Sequence, residues 1–286
     1  MATEPQPQHR AEEHALVDRA RQGDNDAFAA LFDPWRQPLF RFIYRMVTHH
    51  QDAEDLQQEV LVRAFQKLSS YRREASFKSW LFGIATHLCL DHLRARQRWR
   101  VDAQLVAERE VHQDAAALDA LRGLLSSPDF SFDIREHIAF CFACLGRTLE
   151  PEDQAAILLR EVLGFTNEEA ARIVELSEPV FRHRLSAARA KLIADYDGLC
   201  QLINKTGACW QCRGLREFVQ EDKRGPDLVQ IAVKPGIAVT PETLFEARLD
   251  IVRLADLENG VSRLMHTEFF HDIAAQEQRR GAGQEG

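Results

Sequence analysis

Along most of this chain the apolar residues recur at three- and four-residue steps, the period of an α-helix with one buried face. The pattern starts near Glu13 and runs through Val47, with Leu31, Phe32, Trp35, Leu39, Phe42, Ile43 and Met46 on the apolar side. Pro34 and Pro38 fall inside that run. Each lacks the N–H that an interior helical turn uses, so a break or kink is expected there. A second helix is predicted from about Ala53 to Leu68, buried through Leu56, Val60, Ala64 and Leu68. A loop over 69–76 follows, then a helix over 77–97 with Trp80, Leu81, Ile84, Ala85 and Leu88 as its stripe. Residues 101–130 are polar and alanine-rich, broken by Gly123 and Ser126-Ser127-Pro128, which marks a connector. Further helices are predicted over 132–145, from Pro151 to Gly164, and in two short pieces between Gly164 and Leu192. Pro in the first turn and Gly just past the last suit the ends of the 151–164 helix. Beyond these come a β-like stretch over 228–240, interrupted by Pro235-Gly236, and two helical patterns at about 242–258 and 261–277.

A length of 286 residues allows two or three small domains, and 45% hydrophobic content fits a folded chain. The Pro/Gln/Glu-rich residues 1–12 are expected to be disordered. No run of about 18 apolar residues is present. The N-terminus has neither the basic start nor the apolar core of a secretory signal, so a cytoplasmic protein is expected. A formal net charge of −8 argues against a uniformly basic nucleic-acid binder. The charge is uneven, however. Residues 1–60 hold six Lys/Arg against eleven Asp/Glu, and residues 72–100 hold seven against two. A basic segment can grip phosphate while an acidic one meets a protein partner. No phosphate-cradling glycine loop, Ser/His/Asp set or paired-carboxylate motif occurs in a supporting context, so no enzyme is expected.

Thr166 and Glu169 have the spacing of a capping box, which starts a helix at Asn167. Ala170, Ala171 and Val174 are small or apolar positions for close packing. Leu176-Ser177 forms a turn, Ser177 can cap the next helix, and Pro179 suits its first turn. That helix carries Arg182, His183, Arg184, Arg189 and Lys191 against one acid, Glu178. Val180, Phe181, Leu185, Ala188 and Leu192 are expected to pack inward. A basic helix docked behind a short turn fits the major groove, its early residues nearest the base edges. A helical hairpin with a solvated basic face has the same local pattern. Upstream, Asp55, Gln58 and Glu59 share one face of their helix, away from its Leu/Val stripe. The stretch Tyr71-Arg72-Arg73-Glu74-Ala75-Ser76-Phe77-Lys78-Ser79-Trp80 mixes aromatic and cationic groups. Arg94, Arg96, Arg98 and Arg100 close the next helix, where they complement its dipole.

The run DAEDLQQEVLVRAFQKLSSYRREASFKSWLFGIATHLCLDHLRARQRWR (52–100), followed by GFTNEEAARIVELSEPVFRHRLSAARAKL (164–192), resembles regions 2 and 4 of a bacterial RNA polymerase sigma factor. The likeness is to the small extracytoplasmic-function type of the sigma-70 superfamily, here with a C-terminal extension. It covers roughly residues 13–100 and 147–197. It implies that Asp55, Gln58 and Glu59, which match an Asp-x-x-Gln-Glu pattern, bind the clamp helices of the largest polymerase subunit. The flap of the second-largest subunit is an implied contact as well. The 71–80 stretch would open the −10 element and hold a flipped non-template base, with Arg72, Arg73 and Lys78 on the DNA backbone and Trp80 beside them. Phe77 and Trp80 also fit a plain core role, which suits Trp80 better than stacking. Arg94 and Arg98, with Arg96 and Arg100, would grip promoter phosphates. Arg182, His183 and Arg184 would contact the −35 element, with Arg189 farther along the helix. The start Ser177-Glu178-Pro179-Val180 departs from the Gly-Thr-Val type more usual in the family. An anti-sigma factor is a further implied partner; a membrane is not.

Four of the six cysteines form two pairs, Cys141-x2-Cys144 and Cys209-x2-Cys212. A tetrahedral zinc site uses four such thiolates, and His137 and Cys200 are alternate ligands. The pairs stand 64 residues apart, so the fold must bring them together. His137-x3-Cys141-x2-Cys144 resembles the zinc motif of anti-sigma factors. Thiol redox chemistry is an alternative, as is plain packing of Cys141 and Cys144 in the run IAFCFACL. Packing explains less for Cys209 and Cys212, which sit in a polar, glycine-containing segment. Cys89 lies beside a core stripe and is expected to be buried.

The expected architecture is all-α. Residues 1–12 are a disordered N-terminus, 13–100 a region 2-like domain, 101–146 a linker with a short cysteine-containing helix, and 147–197 a region 4-like helix-turn-helix. Residues 198–286 form a cysteine-containing, mostly helical extension. The expected function is a promoter-specificity subunit of RNA polymerase. One rival is a polymerase-independent helix-turn-helix regulator, metal- or redox-responsive through its cysteines; such a protein has no use for the 52–100 segment. The other is a CxxC thiol oxidoreductase, against which the lack of a βαβ pattern counts.

Overall fold

The computed structural model describes residues 7–96, 98–103, 106, 115, 116, 119, 123, 134–200, 236–255 and 263–282. Its helices are α1 (Pro7–Arg21), α2 (Asn25–Val47), α3 (His50–Lys67, with a 3-10 turn Leu68–Ser70), α4 (Phe77–Arg94) and α5 (Ile134–Gly146). Then come α6 (Pro151–Ile157, continued by a π-helical turn Leu158–Val162), α7 (Asn167–Ile173), α8 (Glu178–Leu199), α9 (Pro241–Leu254) and α10 (Arg263–Ala282). The fold is all-α, with no strand among the described residues. Most of the β-like stretch at 228–240 lies outside them. Its described end turns at Gly236 (φ 86°) and runs without regular structure into Thr240, the cap of α9. No described helix is long and apolar enough to cross a membrane.

Local chemistry sets most helix ends. Helix α1 begins at Pro7, so the segment expected to be disordered through residue 12 is helical over its second half. Proline in a first turn gives up no hydrogen bond there. Gly23, at φ 92°, and the side chain of Asp24, which accepts from the Ala27 N–H at 2.9 Å, separate α1 from α2. The break therefore falls there, while Pro34 and Pro38 lie inside α2. Pro34 is exposed, as is Ala30, whose carbonyl loses its N–H partner and can take water instead. Burial of Leu31, Phe32, Leu39 and Phe40 on the other side of α2 outweighs the lost bonds.

The described residues fall into two compact units, the first made of residues up to Ala95 with Pro151–Ser186, the second of Arg96–Glu150 with the residues from Ala187 on. In the first, α2, α3 and α4 pack on one another, burying Leu39, Phe42, Ile43 and Met46 of α2, Leu56, Val60 and Ala64 of α3, and Phe77, Leu81, Phe82 and Ala85 of α4. An aromatic row runs through it: Phe42 meets Phe82 at 5.6 Å, and Phe82 meets Phe165 at 5.5 Å. That row seats the start of the helix-turn-helix on α4. Buried Gln154 of α6 adds a hydrogen bond to the Arg45 carbonyl at 2.7 Å.

In the second unit α5 is the centre, packed against α9 and α10. Phe140 and Trp99 each lie 5.9 Å from Phe270 on one side of it. On the other, Phe245 meets Phe142 at 6.5 Å and Tyr196 at 6.2 Å. The connector and the C-terminal extension thus share one core.

Candidate polymerase and nucleic-acid interface

His49 caps α3 by accepting from the Asp52 N–H at 3.2 Å. Leu56, Val60, Ala64 and Leu68 are buried, and Asp55, Gln58 and Glu59 are exposed, as their spacing predicts. Gln51 donates to Asp55 at 3.2 Å, and Glu59 pairs with Arg63 one turn on. Val62 is 52% exposed and Phe65 is 49% exposed on the same helix. Phe65 lies seven positions after Gln58, so it prolongs this face. Its ring edge touches Phe28 at 5.1 Å. The sequence reading did not single out Phe65, although its place in the helical period was the available signal.

The loop before α4 is tied from several sides. Arg21 donates to the Leu68 carbonyl at 3.1 Å and to the Tyr71 carbonyl. The Tyr71 hydroxyl donates to the Ala75 carbonyl at 2.7 Å, and Glu13 accepts from the Phe77 N–H at 3.1 Å. Arg73 sits at φ 62° and pairs with Asp18. Ser76 caps α4 through the Ser79 N–H at 3.1 Å. Tyr71 and Phe77 are buried, whereas Trp80 is half-buried against both rings, at 5.2 and 5.6 Å. Trp80 lines an open cleft of about 580 Å³. Arg63, Lys67, Arg72 and Arg73 line it as well, with Arg172 and Glu175 on the helix-turn-helix side. Lys78 is placed elsewhere. It donates to the Leu163 carbonyl at 3.1 Å and lies over the Phe165 ring at 4.2 Å. Burial pulls its pKa down.

Both capping-box bonds form at α7: Glu169 N–H to Thr166 Oγ1 at 3.1 Å, and Thr166 N–H to Glu169 Oε2 at 2.9 Å. Glu175, at φ 56°, turns the chain toward α8. Phe181, Leu185, Ala188 and Leu192 are buried as expected, but Val180 is 48% exposed. At 100° per residue it lies off the single stripe that faces inward in the first turn. Arg182 and His183 project to solvent, with Glu178 3.9 Å from Arg182. Arg184, Arg189, Arg94 and Arg98 of the expected DNA-binding set have carboxylate partners. Arg184 bonds Asp153 of α6 at 2.7 Å, and Arg189 bonds Glu246 of α9 at 2.6 Å. Arg94 meets Asp91 at 2.7 Å and Glu152 at 3.9 Å, and Arg98 pairs with Glu150. Arg72 is exposed at the rim of the cleft.

Cys141 is half-exposed and Cys144 buried, one turn apart on α5. His137, one turn earlier, is buried, and burial brings its pKa down to about 4, so its ring is neutral at neutral pH. Cys200 ends α8. Burial raises the pKa of the Tyr196 phenol, and the Cys141, Cys200 and Cys144 thiols act in the same direction while Arg248 opposes them. Cys209 and Cys212 lie outside the described residues, among which no group of three or more His, Cys, Asp or Glu is gathered to hold a metal ion. Cys89 is buried in α4, as expected.

Comparison with known proteins places these helices. Sigma-70 region 2 matches residues 31–99, and Sigma-70 region 4 matches residues 140–192. ECF RNA polymerase sigma factor SigG of Mycobacterium tuberculosis is 31% identical over 182 residues, which cover 60% of this chain and 48% of that protein. This chain therefore spans about half of SigG's length. RNA polymerase sigma-H factor of Pseudomonas aeruginosa is 30% identical over 183 residues, covering 62% of this chain and 90% of that one. The solved structure of CnrH in complex with the cytosolic domain of CnrY aligns with 65% of this chain and 97% of that chain, at 22% identity and a TM-score of 0.47. With both conserved regions matched in order and 90% of a relative's length covered, the chain belongs to the sigma-70 family of RNA polymerase sigma factors, of the ECF type.

Proposed function

We propose that this chain is a promoter-specificity subunit: α3 docks on core RNA polymerase, the 71–80 segment helps open the −10 element, and α8 reads the −35 element. The observation that carries this reading is the composite face of α3. It presents Asp55, Gln58 and Glu59 beside the exposed Val62 and Phe65. A solvated acidic face needs no large apolar side chains, whereas a face that buries against basic helices such as those of the polymerase clamp uses both. The cleft beside Trp80 and Arg72 supports the second step. Extruding a base costs a few kcal/mol, and stacking on an aromatic wall returns ~1–3 kcal/mol. Arg182 and His183, at the exposed start of α8, support the third. Sigma factors are in general not enzymes; the polymerase supplies the chemistry, in the cytoplasm. The partners are core polymerase and promoter DNA, with an anti-sigma protein as a further partner class.

Runoff transcription with core polymerase on genomic fragments tests the whole reading. Discrete transcripts that need this chain are expected, and their absence would remove it. At the residue level, Arg182→Ala is expected to weaken transcription by ~1–3 kcal/mol on promoters carrying the preferred base, if the guanidinium reads that base. An equal loss across all −35 variants would mean phosphate contact instead. No loss would mean that this part of α8 does not touch DNA.

A structural zinc ion held by Cys141, Cys144, Cys209 and Cys212, with His137 or Cys200 as alternates, belongs to the same proposal. It is favoured by the two CxxC pairs themselves, the first of which places Cys141 and Cys144 one turn apart on α5. Such an ion would tie the segment after the helix-turn-helix to α5, and oxidation of its thiolates would release that tie. Protein purified without added zinc is expected to carry about one ion per chain. A content near zero would rule it out.

A further inference from the structure

We propose that the C-terminal extension competes with promoter DNA for the chain's own arginines, its carboxylates standing where phosphates would. The inference rests on the sigma reading above. Arg189 follows Arg182 by seven residues on α8, within about 20° of two full turns, so both start from the same side of the helix. Arg182 projects to solvent from there. Arg189 instead bonds Glu246 at 2.6 Å, and its guanidinium lies 5.2 Å from the centre of the Phe245 ring. Both partners belong to α9. A carboxylate oxygen on a guanidinium reproduces what a phosphate oxygen offers, and the ring face adds a cation–π contact.

The helix that presents these groups is firmly seated. Phe245 is fully buried against Phe142 and Tyr196, and buried Arg248 lies over the Tyr196 ring at 4.2 Å. Glu246 is on the open side, with half its side chain in solvent. Packing therefore holds α9 in place, and Glu246 is not needed for that. An ion pair open to water is weak and exchangeable, which suits a contact that must yield to a polyanion. The last helix also brings a carboxylate to an arginine, there largely out of water. Glu277 of α10, whose side chain is only 3% exposed, accepts from the Arg100 N–H at 3.2 Å and from Arg100 Nε at 3.0 Å. Arg280 also reaches it, at 2.9 Å. Arg100 closes the Arg94–Arg100 run of expected phosphate contacts, and the neighbouring Trp99 packs on Phe270 of the same helix. Each helix of the extension thus supplies a carboxylate to an arginine that DNA would use.

Glu246→Gln in the full-length chain is the test, since the substitution removes one half-exposed charge and leaves the aromatic seat. Holoenzyme reconstituted with core polymerase is titrated with promoter duplex over a range of KCl concentrations. Binding is expected to tighten roughly two- to fivefold. The slope of log K against log salt is expected to steepen by about 1, because one more cation is available to phosphate. Adding Arg189→Ala to Glu246→Gln should abolish the gain. Unchanged or weaker binding by Glu246→Gln overturns the proposal, and so does a gain that survives Arg189→Ala. The unaltered holoenzyme separates the two levels. Selective binding of promoter over non-promoter duplex keeps the sigma reading whatever the variants do, while equal binding of both would end it and the competition with it.

Discussion

A chain in which Asp55, Gln58 and Glu59 are all alanine is expected to keep its helicity and thermal midpoint and to lose binding to core RNA polymerase. All three side chains are exposed on α3, and the buried residues of that helix, Leu56, Val60 and Ala64, are untouched. Surface substitutions away from caps and core cost within about 0.5 kcal/mol, and alanine is a better helix former than any of the residues replaced. Interface hot spots cost about 2 kcal/mol or more each, so removing even two of them weakens association about a thousandfold. Co-purification with core polymerase, or titration of a labelled chain, reads the loss. Circular dichroism of the same sample shows that the fold survives. Retained binding would remove α3 as the docking face and shift attention to the cleft and α8. The exposed Val62 and Phe65 predict a further property: binding on this face should show the negative heat-capacity change of apolar burial.

Phe82→Ala is expected to lower stability by ~3–5 kcal/mol, the range for a large aromatic removed from a packed core. Phe82 is fully buried on α4 between Phe42 and Phe165, at 5.6 and 5.5 Å. Through it a continuous row of rings joins the core of α2 to the start of the helix-turn-helix. Total stabilities of ~5–15 kcal/mol make such a loss a large fraction of the whole. Urea unfolding monitored by tryptophan fluorescence measures it, with Arg72→Ala as an exposed control expected to change little. A loss below about 1 kcal/mol would mean that the aromatic row is not a packed core. The same substitution loosens the seat of Phe165, over which Lys78 is held, so it should also make Lys78 more reactive toward amine-labelling reagents.

Determinants that lie within a turn or two were legible in the amino-acid sequence. The spacing of Thr166 and Glu169 identified a capping box because both groups of that motif belong to one helical turn. The four-residue recurrence of Leu56, Val60, Ala64 and Leu68 identified a buried stripe, and the shared face of Asp55, Gln58 and Glu59 followed from the same period. The order of the two motifs along the chain was enough to point to the family. Prolines misled where their effect depends on surroundings. Of the break or kink expected at Pro34 and Pro38, no break occurs, because the burial of neighbouring side chains holds α2 together through both. Val180 was read as inward-facing because apolar character alone does not say how wide a buried stripe is in the first turn of a helix.

The state of the arginines was decided by tertiary structure alone. In the sequence Arg182, Arg184, Arg189, Arg98 and Arg100 are equivalent cations, each placed where DNA could use it. In the fold Arg184 meets Asp153, Arg98 meets Glu150, Arg189 meets Glu246 and Arg100 meets Glu277, while Arg182 faces solvent. These partners stand 31, 52, 57 and 177 residues away. Helical period reaches only three or four positions along one element, and a carboxylate that far off is brought near only by the packing of other helices. The sequence by itself determined which segments are helical, which faces are buried and which family the chain resembles. Which of its positive charges remain available to a polyanion depends on where the aromatic cores of Phe165, Phe245 and Phe270 seat the elements that carry the acids.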